Sequence, residues 1–538
     1  MKKSQLLARG ILSGLIVICL TYHVKAQIPE WKKSLSTLDG NFHEKRAAIQ
    51  TFFEQNPELI DEPGSGYKDF IRWQEFWSAR VNETGNYFTA NDAMLAYQND
   101  ISLYCNGSSS IDVNWELLGP ISTPPRVDLN SPNYGSHGMG ITRAVWVNPA
   151  NPNHILLGSG SGGLWKSMDG GQNWTNITDS SGLMTLGVNS IAVHPITGFI
   201  YITTGIESSF WGLSKYYGFG LLKSADGGNS WETTGLSFSP GGPLPVAEKV
   251  VFDESDITGQ RAFALVEHQI LETTDFGVTW SVVLTGQVSE RFTDIDFNPI
   301  TPTNWVACSS DGTESFEPNV PGKFYRSSNN GNSWSEFTNS ISLTPITYAT
   351  LEYSEAGVDV IYAAIAFDGA TDKVFKSSDN GITWTEQGNV PGGWKGTFEV
   401  SKFDENRLYF GCLNVVQSND GGLTNTAISD WFNLTSINYI HADHRDLKSV
   451  EIGGQEYLYS AHDGGLGRKL ISESAWEDLS GNGLTISQIY AVGVGSSGKV
   501  YGGMQDLSTN FYDGNAWFNI GQGDGGNCMV DYLAENVT

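Results

Sequence analysis

Short apolar runs alternate with turn-rich stretches through most of the chain. These runs lie at residues 155–158, 200–202, 263–265, 305–308, 361–364, 408–411, 457–459 and 500–503. Apolar runs of this length, bounded by Gly, Asn and Asp, predict β-strands. Their even spacing predicts an all-β fold, a β-propeller of about eight blades over residues 111–538, because each unit must bury its faces against its neighbours.

One phrase, Ser/Thr-x-Asp-x-Gly-x-x-Trp, recurs along the chain, and its Trp positions follow one another at steps of 57, 49, 54 and 50 residues. Asp and Ser/Thr side chains accept backbone N–H bonds in turns, Gly supplies a positive φ, and the Trp starts the next strand. One copy has Asn in place of Asp, and the copy that ends at Asn425 lacks the Trp, so we expect its blade to be less regular. The phrase predicts a hairpin turn with a structural residue at Asp169, Asp226, Asp275, Asn329, Asp379 and Asp420.

Residues 27–110 follow a different pattern, in which apolar residues recur at helical spacing. One stripe comprises Phe42, Ile49, Phe52 and Phe53, and a second comprises Tyr67, Phe70, Trp73, Trp77 and Val81. Apolar residues three and four apart line one face of a helix. We therefore predict a small α-helical N-terminal region, with a third short helix over residues 91–97 and a linker at residues 106–110.

The first 26 residues are typical of a signal peptide. Lys2, Lys3 and Arg9 precede an apolar core at residues 11–20, and Ala26 is a small residue at the expected cleavage position. No later apolar run is long enough to span a membrane. We therefore expect the chain to meet the secretion machinery and to be secreted or held at the cell surface. We also expect it to stop in mid-blade, as a C-terminally truncated part of a longer protein.

The charge balance narrows the choice of partners. The chain has 31 Lys and Arg against 59 Asp and Glu, a formal net charge of −28. An acidic surface of this kind argues against nucleic acid and anionic lipid as ligands. The five cysteines are far apart and form no C-x-x-C pair, which argues against a disulfide framework or a zinc site.

The recurring phrase resembles the Asp-box, or BNR repeat, of sialidases, family 74 glycoside hydrolases and sortilin-type receptors. In those families the box is a structural turn away from the ligand site. The order of elements from about residue 40 onward also resembles a group of secreted Bacteroidota proteins described as sortilin-like or glycosyl-hydrolase BNR-repeat proteins. The phrases that carry this resemblance lie at residues 66–77, 162–171, 441–444, 463–465, 505–506 and 523–526. The resemblance implies a propeller and export, without a settled activity.

Carboxylates and histidines accumulate in the last hundred residues. Residues i and i+2 of a strand share a face, so we expect His441 and Asp443 to point together and His444 to point away. Equivalent loops of successive blades meet at one end of a propeller, so Asp463, Asp506 and Asp524 are expected to meet these residues there.

Three interpretations of this group stay open. The first is a divalent metal site at His441, Asp443 and His444, with calcium favoured if most ligands are oxygens; no other cofactor is indicated. The second is a carboxylate pair for glycoside hydrolysis, Asp463 and Asp524. The third is a set of buried residues that are hydrogen-bonded to blade turns and have no catalytic role.

The hydrolase interpretation can be tested by comparing the sequence with the family 74 glycoside hydrolases that it resembles. Family 74 enzymes cleave β-1,4-glucans such as xyloglucan between two seven-bladed propellers, using two Asp residues. The position that matches the Asp of the first blade is Gly160 here. This difference counts against a family 74 enzyme, and the sequence leaves catalysis undecided. Sialidase chemistry is disfavoured because no Arg-Ile-Pro phrase and no arginine triad are present.

Two aromatic loops suggest ligand contacts. Trp211, Tyr216 and Tyr217 interrupt the second blade, and Trp394 lies in a later loop. Exposed aromatic rings form platforms for sugars or peptides, although the same residues also pack inside propellers. Together with Gln505 and Asp506 they are our candidate ligand-binding residues.

The leading hypothesis is an exported propeller that binds an extracellular polysaccharide, with hydrolysis as a further option. The alternatives are a sortilin-like propeller that binds a protein ligand and a structural component of the cell surface or of an adhesion system.

Overall fold

The computed structural model describes residues 40–62, 65–78, 80–87, 92, 96, 116–127, 137–179, 187–206, 216–237, 246–288, 290–311, 322–337, 341, 346–367, 370–394, 396–521 and 523–531. The predicted signal peptide, the predicted linker and Trp211 lie outside these residues, as does most of the third helix expected over 91–97. The chain divides into two compact units, residues 1–87 and 88–538.

The first unit is built on two helices, α1 (Phe42–Gln55) and α2 (Tyr67–Ser78), with a 3₁₀ turn at Pro57–Leu59 between them. Asn41 begins α1 as its N-cap, because its side-chain oxygen accepts hydrogen bonds from the backbone N–H groups of His43 and Glu44. The two predicted apolar stripes meet in a core in which Phe42, Ile49, Phe53, Phe70 and Trp73 are buried. The predicted helical N-terminal region is confirmed.

Within its described residues, the second unit contains eight four-stranded sheets, numbered 1 to 8 along the chain, in which each strand pairs with the next. Sheet 1 has β1 (Thr142–Val147), β2 (Ile155–Ser159), β3 (Leu164–Ser167) and β4 (Thr175–Asn176). Sheet 2 has β5 (Val188–Val193), β6 (Ile200–Ile206), β7 (Tyr216–Ser224) and β8 (Glu232–Ser237). Sheet 3 has β9 (Ala247–Phe252), β10 (Ala262–Val266), β11 (Gln269–Thr273) and β12 (Ser281–Thr285). Sheet 4 has β13 (Glu290–Phe297), β14 (Trp305–Asp311), β15 (Phe324–Ser327) and β16 (Ser335–Glu336).

The remaining sheets repeat this pattern. Sheet 5 has β17 (Ile346–Tyr353), β18 (Ile361–Phe367), β19 (Lys373–Ser377) and β20 (Thr385–Asn389). Sheet 6 has β21 (Thr397–Val400), β22 (Leu408–Gly411), β23 (Val415–Ser418) and β24 (Thr426–Ala427). Sheet 7 has β25 (His444–Ile452), β26 (Gln455–His462), β27 (Gly465–Leu470) and β28 (Glu477–Asp478). Sheet 8 has β29 (Ile489–Val494), β30 (Val500–Met504), β31 (Ser508–Tyr512) and β32 (Trp517–Asn519).

The second strand of each sheet corresponds to one of the apolar runs. The strands β2 and β18, for example, are buried along their whole length. Such strands are covered on both faces by neighbouring sheets, which explains why they are continuously apolar instead of alternating. The predicted β-propeller of about eight blades is confirmed as eight sheets.

Seven of the sheets close into a ring. The first strands of successive sheets contact one another from β1 to β25, and β1 then contacts β25 and β26 of sheet 7. At this closure the backbone N–H of Val145 donates to Oδ2 of Asp446 over 2.9 Å, and Val145 shares a buried cluster with Val450, Tyr459 and Ala461. Sheet 8 therefore lies beyond a closed seven-bladed ring, which the repeats alone did not predict.

Acidic side chains on the first strands join neighbouring blades. Each accepts a hydrogen bond from a backbone N–H on the first strand of the following sheet. The pairs are Asp296 with Tyr353 over 2.7 Å, Glu352 with Val400 over 2.9 Å, Glu399 with Ser449 over 2.6 Å, and Asp446 with Val145. Burial raises the pKa of Asp296 to about 7. These bonds link the sheets independently of their apolar contacts.

The six box residues make hydrogen bonds inside their own turns. In the first box, Ser167 donates to Oδ1 of Asp169 over 2.8 Å, and the same oxygen accepts the N–H of Asn173 over 2.9 Å. Asp226, Asp275, Asn329, Asp379 and Asp420 likewise accept the N–H of the fourth residue along. Hydrogen bonds from Ser230 hold the pKa of Asp226 at about 2.

In two of the boxes the Trp ties its blade to the preceding one, whereas Trp280 and Trp384 donate to glycine carbonyls of their own turns. Trp174 donates through Nε1 to the carbonyl of Leu479 in sheet 7, and Trp231 donates to the carbonyl of Ile177 in sheet 1. Asn425 stands in place of the Trp in sheet 6, yet its side-chain amide donates to the carbonyl of Asn389 over 2.9 Å. Sheet 6 consequently keeps four strands, and the irregular blade expected here is not observed.

Residues 116–127, which we call the strap, connect sheet 8 to the ring. Arg126 forms a parallel bridge with Asn519 of β32. Trp517 donates through Nε1 to the carbonyl of Leu118 over 2.8 Å, and the N–H of Gly483 donates to the carbonyl of Ile121 over 2.7 Å. The strap thus extends the outer edge of sheet 8. Nowhere in the described part of the chain is a helix both long and apolar enough to cross a membrane.

Candidate functional site at the junction of sheets 7 and 8

Four segments meet where sheet 8 leaves the ring, and we call this place the junction. The segments are residues 441–445 before and within β25, the turn 462–465, the turn 505–507 and residues 523–526. His441 donates through Nε2 to the carbonyl of Asp506 over 2.9 Å, and the N–H of Asp506 donates to Oδ1 of Asp524 over 2.8 Å. The structure therefore brings together residues from loops that are more than eighty positions apart in sequence.

Asp463 is engaged by Arg445 through both of its carboxylate oxygens. Nε of Arg445 donates to Oδ1 over 2.7 Å, and Nη2 donates to Oδ2 over 2.5 Å. Burial lowers the pKa of Arg445, but the carboxylates of Asp463, Asp443 and Asp506 outweigh it and raise that pKa above its ordinary value. The side chain of Asp463 is only 2% exposed. Because both oxygens are engaged and buried, Asp463 is not available as a general acid.

Asp506 has the opposite character. Burial and the neighbouring charges of Asp463 and Asp524 raise its pKa to about 7, against a smaller opposing effect of His441. Carboxylates that crowd one site cannot all ionise, so one of them retains a proton. Asp506 is thus partly protonated at neutral pH, which suits a general acid. Asp524 is exposed beside it.

The predicted arrangement of the histidines is wrong. β25 begins only at His444, and Asp443 has a φ of 62°, so the alternation rule does not apply to residues 441–443. Both His441 and His444 lie against His462, with ring centroids 6.2 and 5.7 Å apart. Nδ1 of His444 contacts Oγ of Ser460 over 2.7 Å. Burial lowers the pKa of His444 to about 3, so its ring is neutral.

The structure gives the metal hypothesis no support. Across the described ranges, no group of three or more His, Cys, Asp or Glu side chains is arranged to hold a metal ion. The side chains proposed as ligands have other contacts: His441 bonds to Asp506, and His444 bonds to Ser460. A calcium or other divalent ion at this place therefore stays a prediction from the sequence.

Gly160, which the resemblance to family 74 matches with a carboxylate position, lies near the same junction. A Cβ atom added to Gly160 would lie 3.4 Å from Nε2 of Gln488. That amide donates to Oγ of Ser161 over 2.9 Å, and the N–H of Gln505 donates to the carbonyl of Gln488 over 2.9 Å. The loop after β2 thus presents the hydroxyl of Ser161 here, and the segment before β29 presents the amide of Gln488.

The aromatic candidates have different surroundings. Trp394 is buried, donates through Nε1 to the carbonyl of Thr397 over 2.7 Å and packs edge-on against Tyr348. The packing interpretation, one of the two left open, therefore describes Trp394. Tyr216 and Tyr217 begin β7, and their contribution to binding stays a prediction.

Sequence reasoning missed Arg445, the partner of Asp463. One signal was available, since Arg445 directly follows the conspicuous His441-Ala-Asp443-His444 phrase. It also missed the aromatic pair Trp431 and Phe432, whose rings meet edge-on at 5.5 Å in the loop before His441. Phe432 is 43% exposed, so this loop presents a ring to solvent.

Comparison with known proteins gives a distant relationship. No protein-family model matches the chain. It is 25% identical over 318 residues to a xyloglucanase of a Paenibacillus species, and this alignment covers 57% of this chain and 27% of that relative. It is also 25% identical over 368 residues to xyloglucanase Xgh74A of Acetivibrio thermocellus, which covers 62% of this chain and 39% of that relative.

Among solved structures, the GH74 enzyme of Niastella koreensis aligns with a TM-score of 0.41 and 17% identity, over 73% of this chain and 61% of that chain. The chain spans well under half the length of the two xyloglucanases that it matches. The closed ring of four-stranded sheets makes the protein a β-propeller. Its sequence is distantly related to those of xyloglucanases.

Proposed function

We propose that the protein binds a β-1,4-glucan such as xyloglucan at the junction, and that Asp506 and Asp524 there give it glycoside-hydrolase activity. The observation that supports this most is the meeting of Asp463, Asp506 and Asp524 around a single turn, with Arg445 bound to the first of them. The similarity to xyloglucanases suggests the class of ligand.

The proposed roles follow from the different surroundings of the carboxylates. Asp506, whose raised pKa leaves it partly protonated at neutral pH, donates its proton to the glycosidic oxygen. Asp524 is exposed and is linked to Asp506 through the N–H of that residue, so it activates the attacking water or attacks directly. Sequence analysis paired Asp463 with Asp524, but Arg445 engages both oxygens of Asp463. Asp463 therefore contributes charge that keeps Asp506 protonated.

Such a ligand lies outside the cytoplasm, in keeping with the signal peptide predicted over residues 1–26. Mass spectrometry of the protein recovered from its native host would test export. A mature N-terminus near residue 27 is expected, and an intact N-terminal Met would contradict it.

The activity is tested with xyloglucan as substrate. Reducing ends and polymer size would be followed for the full chain and for Asp506→Asn and Asp524→Asn. Loss of a general acid or base lowers such rates by roughly 100-fold or more. Glu451→Gln is the matched control, because Glu451 is an exposed acid at the opposite end of β25.

Each outcome distinguishes a function. Release of oligosaccharide that the two Asn variants abolish and the control keeps would support hydrolysis. Retarded migration in a xyloglucan gel without release would leave a polysaccharide-binding propeller and would exclude catalysis on this substrate. Absence of both would overturn the proposal and favour a protein ligand.

A further inference from the structure

The turn that carries Asp506 has an unusual backbone. Residues 505–507 connect β30 to β31, and Asp506 has a φ of 55°. A non-glycine residue in this left-handed region is disfavoured unless its surroundings hold it there. Two side chains from other segments bind its peptide groups. Asp524 accepts the N–H of Asp506, and His441 donates to its carbonyl.

His441 is itself held firmly by its contacts with the seven-bladed ring of sheets. Its side chain is buried, and its ring stacks on that of His462 with an interplanar angle of 14°. The backbone of Gly464 lies so close that an added Cβ atom would meet the Cβ of His441 at 2.5 Å. Since a carbonyl can only accept, Nε2 of His441 must carry the proton of the bond to Asp506.

We infer that His441 is a positioning residue that fixes the turn 505–507 against the ring and thereby sets the place of the Asp506 carboxyl among its neighbours. The bond joins residues 65 positions apart and connects the closed ring to sheet 8. The charged groups that face Asp506 are Asp443, Arg445, Asp463 and Asp524. The effect on catalysis rests on the proposed function, whereas the positioning of the turn does not.

Two substitutions separate the hydrogen bond from packing. His441→Phe keeps a ring of similar size and removes the donor, while His441→Gln places an amide N–H at a similar reach. Amide hydrogen exchange would be measured by mass spectrometry on peptides that cover residues 503–512 and, as a reference, β26. Removal of one hydrogen bond is expected to speed exchange in the turn by about fivefold.

The expected result is faster exchange at residues 505–507 in His441→Phe, a wild-type rate in His441→Gln and no change in β26. Equal exchange in all three proteins would overturn the inference. Faster exchange in β26 as well would also overturn it, because His441 would then simply stabilise sheet 7.

Kinetics extend the test to catalysis. If the wild type releases reducing ends from xyloglucan, His441→Phe is expected to lower kcat about tenfold with KM unchanged, because an acid displaced by a fraction of an ångström loses alignment. His441→Gln should restore most of the rate, and failure of this rescue would overturn the catalytic part of the inference. An inactive wild type would overturn the proposed function alone, since the exchange result stands independently.

Discussion

Replacement of Arg445 by Met should destabilise the protein strongly. Met keeps most of the apolar stem but removes both hydrogen bonds to Asp463, a carboxylate whose side chain is 2% exposed. The orphaned charge would also face Asp506. Breaking a buried pair by removing one partner costs about 3–5 kcal/mol, because the other charge is left desolvated. Asp463→Asn in the Arg445→Met background removes that charge and should recover much of the loss.

The assay is urea denaturation followed by tryptophan fluorescence. Lys373→Met is the matched control, because it removes a similar cation from an ion pair whose partner, Glu386, is 53% exposed. Exposed pairs of this kind contribute below about 1 kcal/mol. A loss of free energy of unfolding in Arg445→Met no larger than that in Lys373→Met would refute the reasoning. Failure of the double variant to recover stability would refute the role assigned to the orphaned charge.

Three further predictions test other features. Asp446→Ala should lower the free energy of unfolding by about 1–3 kcal/mol, because it leaves the N–H of Val145 unpaired at the ring closure; an unchanged urea midpoint would contradict this. Ser167→Ala should cost about 1–2 kcal/mol by removing the acceptor of the buried N–H of Gly171, and Ser167→Thr should be tolerated, as Thr occupies the same position at residue 273; equal losses would count against it. The pKa of the His444 ring is about 3 in the folded protein against an ordinary value of 6.5. Between these two values the unfolded chain binds a proton at His444 and the folded protein does not, so the free energy of unfolding falls as pH falls below 6.5. His444→Gln should therefore flatten the pH dependence of the free energy of unfolding by about 1.4 kcal/mol per pH unit between pH 6 and 4, and parallel curves for the two proteins would contradict this.

The sheets were predictable because their signals are local. A buried second strand such as β18 is an uninterrupted apolar run, and each box turn is specified by side chains within five residues of one another. Closure at seven sheets was not predictable, because it depends on contacts between residues some 300 positions apart, such as Val145 and Asp446.

In the candidate site too, contacts between distant residues could not be predicted from local sequence. The proximity of Asp463, Asp506 and Asp524 was predicted from the convergence of blade loops, but it arises because sheet 8, which lies beyond the closed ring, meets sheet 7 at the junction. The expectation that His444 points away from His441 was wrong, because both rings lie against His462 and residues 441–443 precede the strand. The ion pair of Asp463 with Arg445 is a tertiary contact without a local signature in the sequence. The same is true of the hydrogen bonds that His441 and Asp524 make to the backbone of Asp506.

The junction is the proposed ligand site of the protein. Hydrogen exchange of the full chain would be compared with and without a xyloglucan oligosaccharide, using an unrelated pectin fragment as the control glycan. If the ligand binds at the junction, exchange should slow in peptides that cover residues 441–446, 462–466 and 503–511 with xyloglucan alone. Protection confined to the box turns, or no protection at any concentration, would contradict this proposal.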